Sequence, residues 1–482
     1  MSDDNHNRIQ ARILTDGEIA SVHQSSLTVL EKVGILIRHE KALSLLAEAG
    51  ATVDSTSQQV KIPPGVVKRA LETVPHEFLV TGRAPSRDVV LGYDCPPRAR
   101  PVISLDWIVD YEGKERRQVT VQDLEAWVRV VEASPNQSLV SGLNPWDVPL
   151  ETRDLHAAEA MLRLSTKPIL IAPYSASGVR WIAQMVAAIG DRRGPRVVAF
   201  CSCNSPLIYS ESQMGVLLEA VEQGFPVLLN SSPVTGATAP ITLAGTLVVM
   251  NAEILAAITV AQLARPGAKI LYAGFPFILD MTTSIASNGY TECGLLAGAI
   301  VDIGRSYRLP TASNGLTTDS HVCDAQAAVE KLLTGFTAVL CGASLNGGAG
   351  SLASVGTASL EQLVIDDDIY ERVFRFQQGI NVRADTLALD VIAAVGPQHH
   401  FLEQPHTLTY LRQEFRHSKL ANRLTPGAWL DRGGRDAVDL AADRVKTILR
   451  ASPESSLAPA VLAELAQIVN HAEQSRSREV LA

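Results

Sequence analysis

VVAFCSCNSPLIYSESQMGVLLEAVEQGFPVLLNSSPVTGATAPITLAGTLVVMNAEILAAITVAQLARPGAKILYAG, residues 197–274, holds three short apolar runs separated by two stretches long enough for helices. The runs are Val197 to Phe200, Val227 to Asn230 and Ile270 to Ala273, and each ends in Ser, Asn or Gly. Strand alternating with helix implies parallel strands joined by right-handed crossovers. The same rhythm extends in both directions. Val102 to Ser104, Leu139 to Gly142 and Ile169 to Ala172 precede it, and Thr311 to Ser313 and Ala338 to Gly342 follow. Eight units are the number that closes a (β/α)8 TIM barrel. The rival is an open doubly wound sheet, which would carry a glycine fingerprint after its first strand; Ser104-Leu-Asp-Trp107 is not one. The α/β chain therefore divides into an N-terminal α+β cap (1–98), a barrel (99–360) and a C-terminal helical extension (361–482) packed on the barrel.

Composition narrows the class. Only 19% of the 482 residues are charged, below the ~25% usual for soluble domains, so much of the surface is uncharged or covered in a homo-oligomer. The net charge is -9, and no basic run exceeds pairs such as Arg116-Arg117 and Arg192-Arg193, which argues against nucleic acid as a partner. Six dispersed cysteines, and a start (Met1 to His6) without a basic or apolar leader, point to a reducing cytoplasm. The span between Glu222 and Glu253 carries no charge. Its Asn230, Pro233, Gly236 and Pro240 break it into a buried strand, a loop and a buried helix, not a membrane span.

Barrel enzymes place their chemistry at the carboxyl ends of the strands. Those positions read Asp106-Trp107, Asn144-Pro-Trp146-Asp147, Pro173-Tyr174, Cys201-Ser-Cys203-Asn204, Ser231-Ser232, Phe275-Pro-Phe277 with Asp280, Asn314 with Asp319, and Ser344-Leu-Asn346-Gly347-Gly348. Aromatic residues are 5% of the chain, yet five fall in these loops. Aromatic faces beside carboxylates suit an organic cation, which the ring quadrupole attracts without hydrogen bonds. Sharper motifs fail. Cys201-x-Cys203 lacks the further ligands of a metal site. Asp319-x-His321 lacks the glycine of the corrinoid-binding signature, where Asp324 stands instead. Gly347-Gly348-Ala-Gly350 has no P-loop lysine and reads as a tight turn. His399-His400 and His406 have no carboxylate at helical spacing.

Three long segments carry a family resemblance: LLAEAGATVDSTSQQVKIPPGVVKRALETVPHEFLVTGRAPSRDVVLG (Leu45 to Gly92), GATAPITLAGTLVVMNAEILAAITVAQLARPGAKILYAG (Gly236 to Gly274) and LALDVIAAVGPQHHFLEQPHTLTYLRQEF (Leu387 to Phe415). Together they resemble the trimethylamine methyltransferase (MttB-like) family, in order and over nearly the whole chain. The resemblance implies a TIM barrel that moves a methyl group from a methylated amine to the cobalt of a separate corrinoid protein. It implies no cobalamin bound permanently to this chain. Founding members contain pyrrolysine, expected around Leu345 to Gly348, where this chain has ordinary residues. Members lacking pyrrolysine are similar to quaternary amine demethylases, including those acting on glycine betaine.

That chemistry needs orientation, a dry cation cage with uncharged walls and a mouth open to the corrin; it needs no general acid, because attack on a quaternary ammonium releases a neutral amine. Loop position and residue type nominate Trp107, Trp146, Tyr174 and Phe275 as cage walls. They nominate Asp106 and Asp280 to balance the cation, and Asn314 or Asn346 to bond a substrate carboxylate. Glu253, in a long apolar helix with Asn251, needs a buried partner or lies at the rim, while Glu292 and Asp324 read as helix N-terminal charges. Two other readings stay open: a non-catalytic binder of methylated amines, and a barrel lyase or hydrolase with an unrecognised metal site.

Overall fold

The computed structural model describes residues 9–110, 115–190, 193–451 and 455–480. The Met1 to His6 start and Arg192 lie outside them. Eight parallel strands form one sheet: β1 (Arg98–Pro101), β2 (Val140–Ser141), β3 (Ile169–Ile171), β4 (Val197–Ser202), β5 (Val227–Ser231), β6 (Ile270–Gly274), β7 (Thr311–Ser313) and β8 (Leu345–Ala349). Their order around the sheet is their order in the chain, with β8 beside β1. A bridge between Ala99 and Gln137 and a bond from Ser138 N to Ala99 O (2.7 Å) join β1 to the approach of β2, closing the circle. Strands β3 to β6 are largely apolar on both faces because helices cover the outside and packed side chains fill the inside. β3 and β5 are buried at every residue.

Two strand assignments shift. The first strand is Arg98–Pro101 rather than Val102 to Ser104, and the eighth is Leu345–Ala349 rather than Ala338 to Gly342. In the first case two arginines hide the pleat, and in the second Ala338 to Leu340 end a helix that its apolar pattern does not separate from a strand. Each strand is followed by its helix: α1 (Val121–Ala133), α2 (Arg153–Leu164), α3 (Ala176–Ile189), α4 (Glu211–Glu222), α5 (Leu243–Ala264), α6 (Thr291–Ser306), α7 (Ala325–Leu340) and α8 (Leu360–Gln377). The eighth crossover helix thus lies past residue 360, within what the sequence division assigns to the extension.

Helix α5 is apolar all round and would qualify by length and mean hydropathy as a bilayer span, yet 72% of its most apolar window is buried. The barrel covers one side and the helices Asp16–Thr28, Glu40–Glu48 and Pro64–Leu71 cover the other. This is the expected environment of a helix without a polar face. The N-terminal segment also supplies the hairpin of Glu77–Val80 with Val89–Gly92. Its Phe78, Val80, Val89 and Leu91 share one cluster with Leu139, Leu170, Val198, Leu228, Leu271 and Leu345, plugging the barrel from its amino-terminal end. At the other terminus, helix Ala437–Ala451 packs on α8 and α1, and helix Pro459–Val480 packs on α3 and α2.

The plug yields a stability prediction. Phe78 is 5% exposed, so Phe78→Ala should lower the unfolding free energy by about 3–5 kcal/mol in denaturant titration; a loss below about 1 kcal/mol contradicts a packed plug.

Candidate active site

The odd-even alternation of the strands decides what faces the axis. Val198, Leu228, Leu271 and Leu345 fill the middle layer, so Phe200, Asn230, Ala273 and Gly347 point inward one step nearer the carboxyl end. Above them lies a cavity of about 150 Å³. Its walls are Phe200, Phe275 and Phe277 with Val102, Ile103 and Val355; its polar groups are Arg100, Ser202, Asn230, Ser232 and Asn314. Phe200 and Phe275 stack at 6.2 Å between ring centroids. Among the described residues no carboxylate, histidine, cysteine or lysine lines it. Among the described residues no three His, Cys, Asp or Glu side chains converge as a metal-ligand set.

Arg100 forms the floor. It is fully buried, and its guanidinium carbon stands 5.3 Å from the Phe275 ring centroid. Nη1 donates to Pro101 O at 2.9 Å, while Nε and Nη2 find no partner among the described residues. Burial pulls its pKa down to about 10, which leaves it cationic at neutral pH. Gly347 makes the room: a Cβ there would lie 2.6 Å from the guanidinium carbon. Asn230 donates its amide to Ser202 Oγ (3.1 Å) and Ser232 Oγ (2.6 Å), and its Oδ1 has no partner.

The surrounding loops are tied by buried polar groups. Asp319, after β7, accepts from Asn288 N (3.0 Å) and Ser287 Oγ after β6, and from Ser354 Oγ (2.5 Å) after β8. Ala353, Ser354 and Val355 run left-handed, with φ of 52°, 53° and 62°. Bonds from Ala353 N to Ser320 O and from Ser354 N to Thr318 O, both 2.8 Å, hold this strained turn, and it brings Val355 over the cavity. Behind it Lys331 and Asp366 pair at 2.9 Å, both fully buried; Lys331 also donates to Leu316 O and Asp366 accepts from Gly350 N. Glu253 accepts from Ser205 Oγ, Leu207 N and Ser231 Oγ, bracing the ends of β4 and β5, and burial raises its pKa.

Of the nominated residues, Phe275 and Asn314 line the cavity and the other six do not. Trp107 has Arg116 over its ring at 4.1 Å, and Trp146 has Arg153 over its ring at 3.7 Å. Asp106 accepts from Asn144 Nδ2 (3.1 Å) and stands 4.0 Å from Arg153, so it joins Trp146 in a rim cluster. The Tyr174 backbone N–H donates to Asp154. Asp280 is spent within its own hairpin, accepting from Thr282 N, Thr283 N and Tyr290 Oη, which hold its carboxyl below its ordinary pKa. Asn346 follows the inward Leu345 and so faces the helices, donating to Arg98 O and Ala343 O. Instead of wholly uncharged walls, the cavity has a cationic floor. Arg100 was missed because Arg-Ala-Arg-Pro does not read as a strand; its one legible signal is the alternation Arg98, Arg100, Val102.

The rejected motifs are structural in place. Sγ of Cys201 donates to Gln213 O and Sγ of Cys203 to Ile208 O. Asp324 caps α7 by accepting from Ala327 N, and Glu292 sits in the first turn of α6. A Cβ at Gly348 would lie 1.9 Å from Gly315 O, at φ +92°, so only glycine fits this position in β8, where the pairing with β1 shifts register. His406 is exposed, its Nε2 against Asp385 O.

An axial cavity at the carboxyl end of a closed parallel barrel stands where enzymes of this fold place their active site. The family model for trimethylamine methyltransferases matches residues 4–477. A trimethylamine methyltransferase of Desulfitobacterium hafniense (strain DSM 10664 / DCB-2) is 33% identical over 470 residues, 95% of this chain and 93% of that one. A glycine betaine methyltransferase of Desulfitobacterium hafniense (strain Y51) is 31% identical over 425 residues, 86% and 88% of the two chains. The fold is also that of the monomethylamine methyltransferase of Methanosarcina barkeri, with a TM-score of 0.51 at 12% identity over 92% of this chain and 96% of that one. The chain belongs to the trimethylamine methyltransferase family and is a methyltransferase.

Burial raises the thiols of Cys201, Cys293, Cys323 and Cys341 to about 12 from an ordinary 9. Folded thiols stay protonated while unfolded ones ionise, so their stabilisation is complete below pH 9 and is lost as pH rises toward 12. Unfolding free energy should therefore fall from pH 8 to pH 10.5, less steeply in Cys201→Ala; identical slopes contradict a protonated, inert Cys201.

Proposed function

We propose that the chain transfers a methyl group from a quaternary, glycine betaine-like amine, or a tertiary amine, to the cobalt(I) of a separate corrinoid protein. The observation that carries this reading is the cavity lining, which has aromatic walls and, among the described residues, no carboxylate, histidine, cysteine or lysine. Methyl transfer from a quaternary ammonium, or from a tertiary amine bound as its protonated ammonium ion, needs none: the methyl carbon is taken by the attacking electron pair, the C–N pair stays on nitrogen, and a neutral tertiary or secondary amine remains. The corrin supplies the nucleophile. This chain supplies position and dryness. Phe200, Phe275 and Phe277 hold the methylammonium by their ring faces, and Asn314 bounds it at the rim. The hairpin plug excludes water from below. Trp107, Trp146, Tyr174, Asp106 and Asp280, on the strand-end loops, are proposed to shape the mouth that a partner approaches. The strained turn at Ala353 to Val355 sets its height. A cytoplasmic setting and self-association belong to the same proposal, the latter on exposed apolar side chains such as Val329, Leu402 and Leu408.

The test is methyl transfer to free cob(I)alamin, followed by absorbance, with glycine betaine and trimethylamine as donors. Loss of the cobalt(I) spectrum with at least one amine is expected; no change with either contradicts the reading, and activity abolished by a chelator favours a metal-dependent barrel instead. Phe275→Ala should lower kcat/KM by about thirtyfold, the equivalent of ~2 kcal/mol for a desolvated cation–π contact. Asp280→Asn should leave it within about twofold.

A further inference from the structure

We propose that Arg100 is the specificity residue of the cavity: it receives a carboxylate borne by the ligand, so the site takes methylated ammonium zwitterions and refuses amines carrying positive charge alone. This rests on the reading that the cavity holds the methyl donor.

Four observations carry it. Arg100 is fully buried yet stands in no ion pair among the described residues. A buried guanidinium without a counter-charge is a cost that folded proteins keep only where a partner completes it. Two of its donors, Nε and Nη2, are unpartnered, which leaves the planar fork short of the acceptors a carboxylate offers in bidentate form. The space around the guanidinium is built in, because Gly347 lies under it and any side chain there would displace it. The same cavity also offers what the other end of a zwitterion needs: the ring faces of Phe200 and Phe275, and the unpartnered acceptor Oδ1 of Asn230. Orphan donors and an orphan acceptor in one small cavity match a ligand with both charges. A tetraalkylammonium or protonated trimethylamine meets the fixed positive floor at short range, in a medium that screens poorly.

Calorimetry on the full chain, without any corrin, tests this with three probes: glycine betaine, the tert-butylacetate anion as its uncharged-head isostere, and tetramethylammonium. Both carboxylates should bind, and tetramethylammonium should bind at least about a hundredfold more weakly. Arg100→Gln should weaken glycine betaine by about a hundredfold. Gly347→Ala keeps the charge but displaces the fork, and should weaken it by about tenfold with the thermal unfolding transition retained. Tetramethylammonium bound as tightly as glycine betaine, neither carboxylate bound, or an unchanged affinity in folded Arg100→Gln would each overturn the assignment; if that variant does not fold, the three-probe series on the unaltered chain decides. Carboxylate binding with no methyl transfer to cobalt from any amine sinks the catalytic reading and leaves Arg100 standing. Transfer from trimethylamine as efficient as from glycine betaine does the reverse.

Discussion

A permanent positive charge held away from water at the axis of a barrel is the constraint around which the upper half of this molecule is arranged. Arg100 points inward from β1, lies over the bare backbone of Gly347 on β8 and faces the ring of Phe275 beyond β6. Among the described residues that line the cavity with it, none is acidic. A carboxylate placed there would quench the charge and end its use for a ligand. The chain instead spends its acidic groups one layer further out, where Asp319, Asp366 and Glu253 tie the strand-end loops by their hydrogen bonds. The charge is thus left available while the loops around it are held.

The remainder of the fold keeps that layer dry and fixed. Below, the N-terminal hairpin inserts Phe78, Val80, Val89 and Leu91 under the middle layer of leucines and valines. To one side, three N-terminal helices cover α5, whose apolar circumference has no other explanation in a barrel helix. Above, the buried pair Lys331 and Asp366 grips the backbone of Leu316 and Gly350, so the turns after β7 and β8 are anchored to one ion pair. Breaking such a pair is costly because the other charge stays buried. Fixed turns matter for transfer chemistry, where orientation of the reacting groups can supply about 7–11 kcal/mol of the barrier reduction.

Much of this was legible in the sequence, for reasons that differ by element. β3 to β6 announce themselves because both faces of a parallel strand are buried, giving unbroken runs such as Val227 to Leu229. β1 does not, because its inward positions carry arginine, and one of the side chains that hide the strand, Arg100, is the one that lines the cavity. β8 is masked by Gly347 and Gly348, which read as a turn although they are strand residues chosen for close approach. Phe275 and Asn314 were reachable from strand-end position alone. Trp107 and Trp146 sit at the same kind of position, but Arg116 and Arg153 cover a face of each, and no spacing rule reveals a partner that distant or that local.

The claim that Arg100 is unpaired in the free protein is tested most directly by measuring what its charge costs. In denaturant titrations without ligand, Arg100→Met should be at least as stable as the unaltered chain, and up to about 1–4 kcal/mol more stable, because an apolar side chain of similar length replaces an uncompensated buried ion. A loss of about 2 kcal/mol or more would show that the guanidinium is already satisfied within the fold, and that the cavity does not wait for an anion.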